Sequence, residues 1–188
     1  MEEFLKLKKM QHTIIEPSPS LAEVCRKKKM FVVEKFLEDV KKQDLLNGKK
    51  VFVSFELFEH LLNSKLFLNT LYGLMNDNDI FIFTTLNGMG VDIQVLQENS
   101  KAISPPMHLN FFNPKSVKIL LKKIGFEVLE ISTPGKLDID IIANNIDKVK
   151  DKFWKNFIEY SNEKEKEKMQ KFITENQLSS HMMVVVRK

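Results

Sequence analysis

Four residues could act together in proton transfer or cation binding: Glu56, Glu59, His60 and, farther along the chain, His108. The first three follow the apolar run Val51–Phe55, which has the β-branched and aromatic composition of a buried strand. Carboxylate oxygens and imidazole nitrogens are ligands for divalent cations, and an imidazole also accepts protons near neutral pH. The sequence therefore predicts a polar site just past a strand, with metal binding and acid–base chemistry both open.

The element that carries these residues decides whether they converge. We predict a helix that begins near Glu56 and continues through an apolar pattern to Leu74. Residues three and four positions apart share one face of a helix, so Glu56, Glu59 and His60 would project together. Glutamates are also favoured in an ordinary first helical turn by the helix dipole. A purely structural role is therefore the alternative.

Apolar runs of strand length alternate with amphipathic segments along the whole chain, which has the length of one domain, 188 residues. This alternation predicts an α/β fold with a mostly parallel sheet. The last strand follows a helical segment at about 136–176 and is expected to run antiparallel. Met1 to Lys9 has the pattern of the end of an amphipathic helix. The predicted strands are 12–16, 30–33, 51–55, 80–85, 126–131 and 181–186.

Composition restricts the classes of function. The formal net charge is +4, and the lysines are interspersed with glutamates. This pattern indicates solvated helix faces and argues against a nucleic-acid partner. The single cysteine, Cys25, excludes an intramolecular disulfide and fits a reducing cytoplasm. No apolar run resembles a signal peptide or reaches the ~18 residues of a membrane span. The sequence predicts a cytoplasmic protein with no membrane partner.

Several segments resemble, in order, motifs of the class I S-adenosylmethionine-dependent methyltransferases, a family with a Rossmann-like fold. The resemblance implies that Glu16, after the first predicted strand, binds the ribose hydroxyls of the cofactor. It implies that Leu37 and Glu38 flank the adenine and that Ser54 and Phe55 belong to the cofactor-binding motif of the fourth strand. The segments that carry it are Ile14-Ile15-Glu16-Pro17-Ser18, Phe36-Leu37-Glu38-Asp39, Ser54-Phe55-Glu56-Leu57-Phe58-Glu59-His60 and Gly125-Phe126-Glu127-Val128.

Further segments resemble a bacterial subgroup of this family that modifies sugars or surface polysaccharides: His108-Leu109-Asn110-Phe111-Phe112 and Thr133-Pro134-Gly135-Lys136-Leu137-Asp138. This implies O-methylation of a small hydroxyl-bearing or sugar-type substrate, with Glu59, His60 and His108 as catalytic residues.

The motif Glu-x-x-Glu-His with a distal His is also similar to that of small-RNA 2′-O-methyltransferases and quinone O-methyltransferases. That similarity implies a divalent cation such as Mg²⁺ on Glu56, Glu59, His60 and His108, and an RNA 2′-O-methyltransferase-like protein as an alternative function.

One family motif has no counterpart in the sequence. The glycine-rich loop of the family cradles the cofactor where only glycine lets the backbone approach, yet the first glycine here is Gly48. The resemblance thus implies a single truncated domain without its first βα unit, with an exposed sheet edge. A homodimer or a complementing chain could cover that edge. The chain would then be inactive by itself, or a non-catalytic methyltransferase-like remnant or partner subunit.

Overall fold

Six strands form two sheets within residues 11–188, which are the residues that the computed structural model describes. The helix predicted for Met1 to Lys9 lies outside them. Five of the six strands differ from their sequence predictions by one residue at one or both ends, and β3 agrees at both ends. The strands are β1 (Thr13–Ile15), β2 (Phe31–Val33), β3 (Val51–Phe55), β4 (Ile80–Leu86), β5 (Glu127–Ser132) and β6 (His181–Arg187).

The larger sheet has the order β3-β4-β6-β5, and β1 and β2 form a separate parallel pair. Strands β3 and β4 are parallel, whereas β6 is antiparallel to both of its neighbours. Every antiparallel pairing in residues 11–188 is therefore made by the last strand. This confirms the predicted Rossmann-like α/β fold with a mostly parallel sheet and an antiparallel C-terminal strand. Strand β6 lies inside the sheet, between β4 and β5 and one strand from the edge, and its residues Met182, Val184 and Val186 are fully buried.

Seven α-helices connect these strands in the described part of the chain. Helix α4 shows how the sequence sets their ends: Asn113 caps it by accepting the backbone N–H groups of Lys115 and Ser116, and Gly125 ends it at φ +116°. No helix within residues 11–188 is long and apolar enough to cross a bilayer. The helices are α1 (Pro19–Lys27), α2 (Ser64–Leu74), α3 (Val91–Leu96), α4 (Pro114–Ile124), α5 (Asp138–Ala143), α6 (Lys152–Tyr160) and α7 (Glu163–Glu175).

The main core lies between the larger sheet and helices α2 and α4. Phe81 and Phe83 alternate along β4 with partly exposed residues and pack against the buried side chains of β6. A smaller cluster joins Val33 of β2 to Leu74 of α2, and Leu37 contacts both clusters. The segment after β2 therefore attaches the β1–β2 pair to the main core.

The segment after β3 is not the helix that the sequence predicts. Glu56 has a left-handed backbone (φ 49°), a short 3₁₀ turn covers Phe58–His60, and α2 begins only at Ser64. Asn63 caps α2 by accepting the N–H of Leu66. A left-handed residue cannot belong to a right-handed helix, so the i, i+3, i+4 argument does not apply to Glu56.

Candidate functional site

Glu59 is a buried carboxylate at the carboxyl ends of β3 and β4. Glu59 is 2% exposed. Its Oε2 accepts a hydrogen bond from the hydroxyl of Thr85, on β4, at 2.9 Å. Its backbone carbonyl accepts the N–H groups of Leu109 and Asn110 at 2.8 and 3.1 Å. The loop before α4 is thereby fixed against the 3₁₀ turn, which brings a distant part of the chain to Glu59.

His60 and His108 lie beside Glu59, with ring centroids 4.8 Å apart. The Nδ1 of His60 is 2.8 Å from the carbonyl oxygen of Met107, and the Nδ1 of His108 is 2.6 Å from that of Ala102. A carbonyl oxygen only accepts hydrogen bonds. Each Nδ1 therefore carries the proton, and each Nε2 keeps its lone pair for a ligand or a proton.

One ligand atom each from Glu59, His60 and His108 lies within 4.8 Å of the other two. This is the set of residue types that can hold a divalent cation, and it is also a set that can accept a proton from a bound hydroxyl. The structure thus brings together three of the four residues that the resemblance assigns to a metal site. One of them, His108, lies 48 residues after His60 in the sequence.

The fourth residue, Glu56, has a different partner. Its Oε2 lies 3.1 Å from the Nδ1 of His181, the first residue of β6. Its backbone N–H points to the carbonyl oxygen of Thr84 at 3.2 Å. The bond to His181 is the largest cause that lowers the pKa of Glu56, and the same bond raises the pKa of His181. The pairing with His181 thus gives Glu56 a partner outside the cluster Glu59–His60–His108, while its carboxylate also contacts that of Glu59.

His181 reaches this edge because β6 runs antiparallel to β4, which places His181 opposite Leu86. Gly90, before α3, packs so closely that an added Cβ would lie 2.3 Å from the Cα of Ser180. This contact brings Asp92, which is 4% exposed, to the start of β6. Burial, followed by the charge of Asp138, raises the pKa of Asp92.

The sequence reasoning did not identify His181, Asp92 or Thr85 as site residues. The apolar residues from Met182 onward correctly predict a strand. They do not indicate which strands lie beside it, and so they do not show what His181 contacts. The close contact of the Gly90 backbone with Ser180 is the kind of feature that a glycine before a helix can signal.

The predicted cofactor residues lie at or just after the ends of β1, β2 and β3. Glu16 follows β1, and its Oε1 accepts the N–H of Ser18 at 2.8 Å. Leu37 and Glu38 lie in the 3₁₀ turn after β2. Ser54 and Phe55 end β3, where the side chain of Phe55 is about half exposed. In open α/β sheets this is the edge at which ligands bind.

A surface groove lies away from these residues. It measures about 630 Å³ and runs between the segment after β5 and helix α7. Its lining includes Lys166, Glu167 and Lys171, and none of the predicted site residues. The charged residues of this groove belong to a solvated helix face. The carboxylates and imidazoles at the strand ends therefore indicate the functional site better than this groove does.

Comparison of the sequence with models of protein families identifies the family of this chain. Residues 3–131 match the model described as a methyltransferase domain, which is more than half of the chain. The chain belongs to this methyltransferase family. No curated protein is significantly similar to this methyltransferase-domain chain in sequence.

Solved structures agree on the fold. A SAM-dependent methyltransferase from Archaeoglobus fulgidus is 15% identical, with a TM-score of 0.63 over 100% of this chain and 80% of its own. A possible histamine N-methyltransferase from Thermotoga maritima is 15% identical, with a TM-score of 0.58 over 98% and 74%. A plantazolicin methyltransferase in complex with SAH is 14% identical, with a TM-score of 0.57 over 100% and 72%. At such identities the likeness supports the methyltransferase fold.

Proposed function

We propose that this methyltransferase-domain protein transfers the methyl group of S-adenosylmethionine to a hydroxyl of a small hydroxyl-bearing or sugar-type substrate. The observation that carries the proposal is the cluster Glu59–His60–His108 at the carboxyl ends of β3 and β4. Two imidazoles with Nε2 lone pairs and a buried carboxylate converge there. Methylation of oxygen needs an acceptor that loses its proton while it lies in line with the methyl donor.

The cofactor fits residues at the neighbouring strand ends. Glu16 uses one carboxylate oxygen for Ser18, which leaves the other for ribose hydroxyls. Leu37 and Glu38 would contact the adenine, and Ser54 and Phe55 would line the same binding site. When bound, S-adenosylmethionine supplies an electrophilic methyl group on a sulfonium. The protein contributes the orientation of the donor and of the acceptor.

A divalent cation also fits the cluster by its donor set. Glu59, His60 and His108 would each give one ligand, and backbone carbonyls already orient both imidazoles through Nδ1. Two imidazoles and one carboxylate suit Zn²⁺, Fe²⁺ or Mn²⁺ better than Mg²⁺, which prefers oxygen ligands. Such an ion lowers the pKa of a bound hydroxyl. Without it, the same imidazoles can hold the acceptor by hydrogen bonds.

Transfer of tritium from methyl-labelled S-adenosylmethionine tests the proposal. Three acceptors separate the substrate classes: methyl α-D-glucopyranoside, 3,4-dihydroxybenzoate, and a short RNA with free 2′-hydroxyls. We expect label on the glucoside or on the dihydroxybenzoate, and a loss of about 100-fold in Glu59→Gln. Label on RNA alone would support the 2′-O-methyltransferase alternative.

This assay has two controls: removal and return of the metal ion, and a substitution that removes a charge far from the site. Activity that EDTA removes and Mn²⁺ restores supports the cation, whereas EDTA-resistant activity supports acid–base chemistry by the imidazoles. Glu98→Gln, at an exposed ion pair with Lys150, should keep full activity. No labelled product with any acceptor would contradict the proposed function.

A second candidate, a module that is active only with another chain or copy, is supported by the break between the two sheets. In residues 11–188, β3 pairs only with β4, and none of its five residues is buried. Val51 and Phe55 are each 49% exposed, which is unusual for such an apolar strand. Light scattering at 1–100 μM would show a dimer if a second copy covers β3. A Val51→Lys variant would then be a monomer.

A further inference from the structure

Exposed apolar side chains lie in both of the segments that form the cluster Glu59–His60–His108. We propose that the hydroxyl acceptor is an uncharged amphiphile, whose polar head meets the cluster while its apolar tail lies on these side chains. This inference rests on the proposed methyl transfer and names the class of its substrate. We call the surface the apolar rim, and it consists of the exposed residues Leu57, Leu62, Met107, Leu109 and Phe111.

The apolar rim adjoins the cluster through backbone hydrogen bonds. The N–H of His60 donates to the carbonyl oxygen of Leu57 at 3.0 Å, and the Nδ1 of His60 donates to that of Met107 at 2.8 Å. The N–H of Leu109 donates to the carbonyl oxygen of Glu59 at 2.8 Å. A ligand whose hydroxyl reaches the imidazoles therefore has the apolar rim beside it.

Hydrogen bonds also fix the two segments of the apolar rim to the rest of the fold. The side chain of Asn110 donates to the carbonyl oxygen of Leu61 at 2.6 Å. The N–H of Gly88 donates to the carbonyl oxygen of Phe112 at 2.8 Å, and a Cβ added at Gly88 would lie 2.8 Å from the carbonyl oxygen of Phe111. Because these segments are held in place, a ligand would bind a preformed surface and would not have to order it.

The exposure of these side chains needs a reason. Single exposed apolar residues are common on protein surfaces, whereas groups of them mark interaction sites. In the apolar rim, Leu62 is 94% exposed and Met107 is 62% exposed. Apolar surface of this kind gains free energy when an apolar group covers it. A free monosaccharide would reach the cluster but would leave the apolar rim in water.

The charges of the segment exclude a strongly anionic acceptor. Residues 102–114 contain no Asp, Glu, Lys or Arg, although these types make up 29% of the chain. A sugar phosphate or RNA would find no cation in this segment, and phosphate groups are bound mainly by Arg and Lys. An uncharged head with an apolar tail fits both the polar cluster and its uncharged surroundings.

Acceptors that share a head and differ only in the tail test the proposal. We would compare methyl with octyl α-D-glucopyranoside, and methyl with octyl 3,4-dihydroxybenzoate, at concentrations below micelle formation. The tail takes no part in the methyl transfer, so it should act on KM and leave kcat within about threefold. We expect kcat/KM to be about 30-fold higher for the octyl compound. Equal kcat/KM values for the methyl and octyl compounds of both heads would overturn the proposal.

Variants of the apolar rim locate the tail. Leu62→Ser and Met107→Ser should each lower the octyl-to-methyl ratio of kcat/KM about fivefold. Both acceptors are measured on one preparation, so a loss of folded protein cancels in this ratio. The matched control is Leu129→Ser, at a 44% exposed position on β5, which should keep the wild-type ratio. A wild-type ratio in both test variants, or an equal fall in the control, would overturn the assignment.

A binding measurement without turnover separates this inference from the proposed function. In carbon-13 NMR of methyl-labelled methionines, the Met107 signal, assigned with Met107→Leu, should shift with octyl α-D-glucopyranoside and not with the methyl compound. Met75 and Met182, both fully buried, should keep their signals. No shift at Met107, or equal shifts at the buried methionines, would overturn the proposal. A shift at Met107 without methylation of any acceptor contradicts the proposed function alone.

A second copy of the chain is the other occupant that an apolar surface could have. Light scattering at 1–100 μM distinguishes it, because Leu62→Ser should have the same mass as the wild-type chain if the apolar rim binds an acceptor. A wild-type dimer that Leu62→Ser converts to a monomer would overturn the proposal.

Discussion

Two buried carboxylates, Asp138 and Glu59, have opposite surroundings. Asp138 is 1% exposed and accepts four hydrogen bonds, from the Nε2 of Gln170, the hydroxyl of Ser179, and the N–H and hydroxyl of Ser180. Glu59 is almost as buried, yet within residues 11–188 its carboxylate accepts one hydrogen bond from a hydroxyl, that of Thr85, and it also lies against the carboxylate of Glu56. A saturated buried carboxylate joins parts of the fold, whereas one with unused lone pairs beside two imidazoles is available for chemistry.

The largest expected effect is on stability, from Asp138→Ala. The substitution leaves the hydrogen-bond donors that now bind the Asp138 carboxylate without a partner at the junction of α5, α7 and β6. We therefore expect the free energy of unfolding to fall by about 3–5 kcal/mol. Urea denaturation measures it. Asp140→Ala, at an exposed position of the same helix, should change stability by less than about 0.5 kcal/mol. Equal effects at both positions would show that the hydrogen bonds of Asp138 are not structural.

The next effect is on activity, from Glu59→Gln. Glutamine keeps an oxygen for the hydroxyl of Thr85 but removes the charge, so we expect kcat to fall about 100-fold and stability to change by less than about 1 kcal/mol. Methyl transfer and urea denaturation on the same preparation give both values. If Glu59→Gln loses stability as Asp138→Ala does, the two carboxylates are alike and the comparison fails.

A smaller effect is expected from Asn110→Ala, which acts on the loop that carries His108. The side chain of Asn110 donates to the carbonyl oxygen of Leu61 at 2.6 Å. Without this bond the position of His108 is less defined, so activity should fall about tenfold, with a stability loss of about 1 kcal/mol. Asn99→Ala, an exposed substitution nearer the start of the loop, serves as the control and should keep full activity. Wild-type activity in Asn110→Ala would show that the loop is held by other contacts.

The smallest effect concerns Asp92, whose pKa is raised by burial and then by Asp138. Because the folded pKa lies above the unfolded one, ionisation of Asp92 costs stability, and this cost appears as pH rises from about 4 through the raised pKa. Asp92→Asn should therefore be more stable than wild type by about 1 kcal/mol at pH 7 and by less at pH 4. Thermal unfolding at both pH values measures the difference. A gain that is larger at pH 4 would contradict the sign.

The strands could be predicted from sequence because their signals are local. Val51–Phe55 is bounded by lysines and by Glu56, and the structure ends β3 at the same residues. The helix predicted from Glu56 was wrong because the left-handed turn there depends on contacts with Thr84, which a periodic pattern does not contain.

The site could be predicted in part. Glu59, His60 and His108 were found through the resemblance to a family motif, and the structure brings them together. The partner of Glu56 could not be found in this way. His181 reaches Glu56 only because β6 inserts between β4 and β5, a long-range arrangement that neither the spacing nor the composition of the sequence records.

Calorimetric titration with S-adenosylhomocysteine tests the central claim most directly, because it needs no knowledge of the acceptor. We expect a Kd in the micromolar range, near −8 kcal/mol, for the wild-type chain. Binding should be at least tenfold weaker in Glu16→Gln and unchanged in Glu23→Gln, an exposed control on α1. No heat at a protein concentration of about 100 μM, which corresponds to affinity weaker than about −5 kcal/mol, would contradict a cofactor site in this chain.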